Sequence, residues 1–163
     1  MYRFSKRCFD IFFSLLGILF LLLLFLFVAI AIKCSSKGPV LFKQERVGKN
    51  GKTFKIWKFR SMVVDAEAKG RQITTDGDSR ITKVGKFIRK TKIDELPQLF
   101  NVLSGKMSFV GPRPEVPRYV ELYTEEQRKV LTVKPGITDL ASIEYRNEND
   151  LLKEAEDPDR KYI

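Results

Sequence analysis

The chain has 163 residues, with 30 Lys and Arg against 20 Asp and Glu, a formal net charge of +10, no His and two cysteines. The length is a prior for one domain, and the charge calls for an anionic partner: a phosphorylated substrate, anionic lipid or nucleic acid. Without His, the Ser-His-Asp and Cys-His arrangements and all His-containing metal sites are excluded, so nucleophiles and metal ligands must come mostly from carboxylates, which suit hard cations such as Mg2+.

In chain order, the first predicted element is an uncharged apolar run over residues 11–32. At about 1.5 Å per residue it is long enough to cross the hydrocarbon core of a bilayer. The apolar region of a signal peptide is shorter, and a buried soluble helix is rarely apolar on every face, so a retained anchor is expected. Both flanks are basic: Arg3, Lys6 and Arg7 before the run, Lys33, Lys37, Lys43, Arg46, Lys49 and Lys52 after it. Keeping both basic flanks in the cytoplasm requires a re-entrant hairpin. The lack of a proline favours a straight span instead, because bending an unbroken helix strands backbone groups in lipid. Cys8 and Cys34 edge the run and fit neither a metal-ligand spacing nor a disulfide scaffold.

From Lys37 the composition turns polar. "PVLFKQERV" (39–47) and "KTFKIWKFRSM" (52–62) predict two short strands around the turn 48–51. Period-2 alternation puts Ile56, Lys58 and Arg60 on one face of the second strand and Trp57 and Phe59 on the other. Residues 62–70 predict a short helix and 74–80 a loop. Val84, Phe87 and Ile88 form an apolar stripe among Lys83, Lys86, Arg89 and Lys90, a basic amphipathic helix of the kind that lies at a membrane surface.

Asp94 then fits a helix N-cap, with Pro97 in the first turn, Leu96, Leu99, Phe100 and Leu103 on the buried face, and Gly105 as the stop. Thr124 and Gln127 predict a capping box for a helix reaching about Leu131. Lys134-Pro135-Gly136 predicts a turn, and residues 151–156 a last helical stretch.

Three segments can carry chemistry. Asp94-Glu95 reads either as an ordinary helix start or as paired carboxylates, one attacking phosphorus while the other holds a divalent ion. The second reading gains from the basic stretch before the pair, from the affinity of helix N-termini for phosphate and from the absence of His. In "SFVGPRPE" (108–115), Gly111, Pro112 and Pro114 stiffen a loop that presents Arg113, whose planar guanidinium matches phosphate oxygens; a rigid turn with an exposed Arg is the plainer alternative. "FKIWKFR" (54–60) reads as a half-buried strand with a basic face, or as aromatics that stack single-stranded bases.

The whole set of pieces resembles the monotopic phosphoglycosyl transferases, a family of bacterial sugar transferases. The matching stretches are "KRCFD" (6–10), "GPVLFKQERVGKNGKTFKIWKFRSM" (38–62), "VGKFIRKTKIDELPQLFNVLSGKMSFVGPRPE" (84–115) and "VKPGIT" (133–138), in that order over most of the chain. The resemblance implies an α/β (mixed) fold: a membrane anchor helix over 1–36, re-entrant or spanning, and a small cytoplasmic catalytic domain over 37–163, truncated at its C-terminal end. That domain would carry a short β-hairpin and amphipathic interfacial helices. Where the family breaks its membrane helix with Ser-Pro, this chain has Leu22-Leu23.

The implied activity moves a phosphosugar from a nucleotide diphosphate sugar, usually a UDP-sugar, to polyprenol phosphate at the bacterial inner membrane. Asp94 would be the nucleophile and form a phosphosugar-aspartate, and Glu95, with Asp94, would hold Mg2+. Arg89 and Arg113 would contact phosphates, and Lys58 and Arg60 would line the same anionic pocket. The rival reading is a non-enzymatic, membrane-tethered basic module that binds anionic lipid or single-stranded nucleic acid. Under the rival, Asp94→Asn is harmless and charge reversal of the Lys/Arg stretches is not.

Overall fold

The computed structural model describes residues 2–66 and 78–140. Predicted elements that fall beyond them, the stretch 151–156, residues 67–70 of the helix at 62–70 and residues 74–77 of the loop at 74–80, lie outside the described residues. The rest is a small mixed helix-and-sheet domain carrying a bent N-terminal helix pair.

The apolar run forms two helices, α1 (Tyr2–Phe20) and α2 (Leu22–Ser35), bent by 60° at Leu21. No single described helix is long and apolar enough to cross a membrane, but the bent pair is, by length and composition. The bend needs no proline. Leu21 N–H donates to the Gly17 carbonyl and Phe25 N–H to the Leu21 carbonyl across the bend. A concave side packed against the domain supports the break. Gly17 lets α1 approach Leu99, and Phe25 stacks edge-on against Phe59 and near Phe100. Val28 and Ile32 join Phe59 and Ile88 in one apolar core. The outer side presents exposed Phe12, Leu16, Leu19, Phe20, Leu23 and Phe27.

Both ends of the pair are tied to the domain by arginines. Arg7 donates to the carbonyls of Val102 and Leu103, each at 2.7 Å, and Lys6 to Val110 at 2.8 Å. Buried Asp10 accepts from Ser108 Oγ and the Phe109 N–H. At the other end Arg60 donates to the carbonyls of Ser36 and Lys37, just past the end of α2. Lys6 and Arg7, read in the sequence as a basic flank, are therefore engaged with protein carbonyls.

β1 (Leu41–Val47) and β2 (Thr53–Phe59) form the predicted antiparallel hairpin, in a register pairing Val47 with Thr53 and Phe42 with Lys58. Asn50 and Gly51, at φ of 57° and 73°, make the turn. Phe42, Gln44 and Arg46 thus share a face with Lys58 and Ile56. The predicted helix at 62–70 is corrected in its described part: Met62 makes an isolated bridge with Ile81, followed by a turn.

α3 (Lys83–Lys90) starts at Thr82, whose side chain accepts from the Gly85 N–H, and Gly85 presses on the Ser61 backbone where no Cβ would fit. Its apolar stripe divides: Ile88 is buried in the core, whereas Phe87 is 62% exposed among the lysines. α4 (Gln98–Leu103) follows, stopped at Gly105 with φ of 79°.

Asn101 on α4 accepts from Trp57 N–H and donates to the Lys55 carbonyl, so a side-chain amide fills the free edge of β2 and fixes α4 to the strand carrying Lys58. β3 (Ser108–Val110), α5 (Pro117–Glu121) and α6 (Glu125–Arg128) complete the order, the last with the predicted capping box and a 3-10 extension to Thr132. The predicted turn at Lys134-Pro135-Gly136 is corrected. Gly136 opens β4 (Gly136–Thr138), which pairs in parallel with β3.

Candidate active site

Asp94 and Glu95 sit in a single 3-10 turn between α3 and α4, entered through Lys92 in a left-handed conformation at φ of 58°. α4 begins only at Gln98, with Pro97 before it, and no side chain caps it. The N-cap expectation for Asp94 is therefore corrected, and with it the plain explanation of that residue. Asp94 is 8% exposed, and its Oδ1 is buried without a hydrogen-bond partner. An unpartnered carboxylate oxygen in such a place costs on the order of 1–3 kcal/mol or more. Burial pushes the Asp94 carboxyl above its ordinary range, and the Lys58, Arg89 and Lys92 charges pull only partly against it.

Glu95 is in the opposite condition. Its Oε1 accepts from Lys58 Nζ at 2.8 Å in an ion pair about one-fifth exposed on either side. Burial acts to raise Glu95, but the charge and hydrogen bond of Lys58, helped by Arg113 and Lys92, outweigh it and hold the group at about 2. The two neighbours thus diverge: Glu95 is a firmly ionised, paired carboxylate, and Asp94 a desolvated one with an open oxygen. Such divergence is what paired acids with separate roles require.

A shallow, open cleft lies beside this turn, lined by Ile56, Lys58, Glu95, Gln98, Arg113 and Ile137 among others. The Arg113 loop is braced from below. Gly111 N–H donates to Thr138 and Gly136 N–H to Pro112, and a Cβ on either glycine would collide with the facing backbone. The Arg113 N–H itself donates to Asp139 Oδ2 at 3.0 Å.

Of the sequence-predicted residues, the fold brings Asp94, Glu95, Lys58 and Arg113 to one place, with Arg89 near enough to act on the Asp94 charge. It does not bring Arg60 there. Arg60 is 6% exposed and its guanidinium is turned to the end of α2. β2 ends at Phe59, so the alternation that grouped Arg60 with Lys58 no longer applies. Sequence reasoning missed Arg46, Gln98 and Ile137 in the cleft wall. Arg46 was recoverable from the hairpin register, which sets it on the Lys58 face. Ile137 was not, because it depends on the β3–β4 pairing.

The donor set offers a divalent cation two adjacent carboxylates, one of them ion-paired with Lys58. Glu95 and Asp94 Oδ1 offer hard anionic oxygens on adjacent residues, and Mg2+ takes one or two carboxylates with the remaining positions left to phosphate and water. No group of three or more such ligands occurs among the described residues, so phosphate oxygens of a substrate would have to complete the shell.

The family model described as "Bacterial sugar transferase" matches residues 1–163. A UDP-N-acetylgalactosamine-undecaprenyl-phosphate N-acetylgalactosaminephosphotransferase from Aeromonas hydrophila is 47% identical over 146 residues, 88% of this chain and 34% of that protein. A UDP-glucose:undecaprenyl-phosphate glucose-1-phosphate transferase from Escherichia coli is 45% identical, over 94% of this chain and 34% of that protein. A putative undecaprenyl-phosphate N-acetylgalactosaminyl 1-phosphate transferase from Bacillus subtilis is 50% identical, over 74% of this chain and 68% of that protein. The chain spans about a third of the length of the first two, at 34% each.

Proposed function

The chain belongs to the bacterial sugar transferase family, and from that premise we propose that it transfers a phosphosugar from a UDP-sugar to polyprenol phosphate through a phosphosugar-aspartate on Asp94. The observation that carries this is the buried carboxylate with an open oxygen, set beside an ion pair and an arginine loop in a cleft. A carboxylate stripped of hydrogen-bond partners is a better nucleophile than a solvated one.

In the first step an Asp94 oxygen bonds to the sugar-bearing phosphorus. The bond from that phosphorus to the bridging oxygen breaks, and UMP leaves with the bridging oxygen and its electron pair. In the second step an oxygen of polyprenol phosphate bonds to the same phosphorus and the acyl-phosphate bond breaks, which restores Asp94 and gives a polyprenol diphosphate sugar. Polyprenol phosphate is an anion, so the second step needs no base, in keeping with a chain that has no His. Asp94 attacks in its ionised form, which burial disfavours and the Lys58, Arg89 and Lys92 charges favour. Lys58, Arg113 and Arg89 hold phosphate oxygens and offset their charge. Glu95, with Asp94, holds Mg2+, which when bound neutralises negative charge on the phosphates. The deciding assay offers a panel of UDP-sugars with polyprenol phosphate and scores UMP release; no release from any donor sinks the reading.

Glu95→Gln should raise the Mg2+ concentration for half-maximal UMP release by about tenfold or more, because a neutral amide is a poor ligand for a hard cation. Full wild-type activity of either protein in excess chelator would remove Glu95 from this role.

The site lies on the cytoplasmic face of the bacterial inner membrane, with the α1–α2 pair re-entrant rather than spanning. Support comes from Arg7 and Arg60, which tie the first and last turns of the pair to one domain. Ends held to one domain favour the re-entrant arrangement. The basic α3, with exposed Phe87, suits the interface beside it. Cys8 and Cys34 are both exposed and report the topology. Single-cysteine variants should resist a membrane-impermeant maleimide in intact cells and react in opened ones; labelling of Cys8 alone from outside would establish a span.

A further inference from the structure

Gln98 has no part in the chemistry above, yet it is the most buried polar side chain in the cleft wall. It is 3% exposed and lines the cleft. A polar amide held at a cleft wall is suited to pairing with a ligand that enters there. The cleft already supplies cations for phosphate in Lys58 and Arg113. A neutral amide offers a donor and an acceptor together, which suits a hydroxyl or acetamido group better than a phosphate oxygen. Ile56, Ile137 and Pro114 supply apolar walls of the kind that pack against the carbon face of a sugar ring.

The position narrows the choice. Gln98 opens α4, four residues after Asp94 and directly after the 3-10 turn that carries the two acids. If Asp94 attacks the sugar-bearing phosphorus, the nucleotide departs on the far side, in line. The sugar stays attached at the attacked atom. The first polar group met beyond the bridging oxygen is the substituent on the carbon next to the anomeric centre. We propose that Gln98 is a specificity-determining residue that hydrogen-bonds this substituent, hydroxyl or acetamido, on the donor sugar. The proposal rests on the Asp94 reading and goes beyond it.

The test uses the full chain in detergent with polyprenol phosphate. UDP-glucose, UDP-galactose and UDP-N-acetylgalactosamine are screened, and kcat/KM for the preferred donor is compared with that for its 2-deoxy analogue. Wild type should favour the parent donor by about 10- to 100-fold, the range of one hydrogen bond to a substrate. Gln98→Met, similar in size with no donor or acceptor, should bring that ratio to within about threefold, the loss falling on the parent donor. Gln98→Leu serves if the Met variant does not fold.

An unchanged ratio, or equal losses for both donors, overturns the proposal and leaves Gln98 a packing residue. A changed preference between uridine and cytidine donors with an unchanged sugar ratio also overturns it, moving the contact to the base. Absence of wild-type UMP release from every donor would sink the parent reading and this one together, whereas normal wild-type turnover with an unaltered ratio sinks this one alone.

Discussion

Asp94→Asn should lower turnover by about 10⁴-fold or more while raising the melting temperature. The kinetic loss follows from removing the nucleophile, for which nothing else in the cleft substitutes: Glu95 is locked to Lys58, and there is no His. Incubated with a UDP-sugar alone, wild type should gain the mass of one phosphosugar and the variant none. The stability gain follows from the Asp94 carboxyl being pushed up by burial. A carboxyl raised in the folded state favours folding when protonated, so its stabilising effect is lost as pH rises through the folded value. At neutral pH the ionised form works against folding. A neutral amide removes that conflict, worth about 1–2 kcal/mol and a few degrees. An adduct that survives in Asp94→Asn would move the nucleophile elsewhere. Lost activity with a lower melting temperature would mean that the residue is structural.

Lys58→Met should be the most damaging substitution for stability in the cleft, at about 2–4 kcal/mol at pH 7. It leaves two adjacent, largely buried carboxylates without their nearest cation; the pair is partly exposed, so the lower end of the buried range is expected. Turnover should fall by about 10²-fold as well, since one phosphate partner is lost.

The pH dependence gives the specific signature. In wild type the Glu95 pKa is depressed from 4.5 to about 2, so its contribution is fully present above the unfolded value and is lost as pH falls through that window. Asp94, raised, acts in the opposite sense. Without Lys58 both carboxyls are raised, and the variant should gain stability as pH is lowered from neutral towards 5, narrowing its gap to wild type. Melting temperatures of both proteins from pH 4 to 8 measure this. A gap constant across that range would show that Lys58 contributes only packing, and Lys58→Arg should restore most of the stability if charge is what matters.

Elements whose signal lies in adjacent residues were legible in the sequence. The hairpin follows from alternation around a turn at Asn50-Gly51, the α6 cap from Thr124 and Gln127, the end of α4 from Gly105, and the apolar character of α1 and α2 from the run 11–32. The candidate acids, Lys58 and Arg113 could also be singled out there, because charge and loop stiffness are properties of the local chain; that they gather in one place is the fold's doing.

Only the tertiary structure decided the rest. That α1 and α2 bend without proline depends on the domain surface which Gly17 and Phe25 meet. That Arg60 serves α2 rather than the cleft depends on where the carbonyls of Ser36 and Lys37 arrive. The segment Gly136–Thr138 became a strand because it meets Ser108–Val110, far from it in sequence. And the contrast between Asp94 and Glu95, identical in formal charge and adjacent in the chain, comes from burial and from Lys58, which stands on another element. Desolvation and long-range pairing depend on what surrounds a group in space, and no local pattern encodes that.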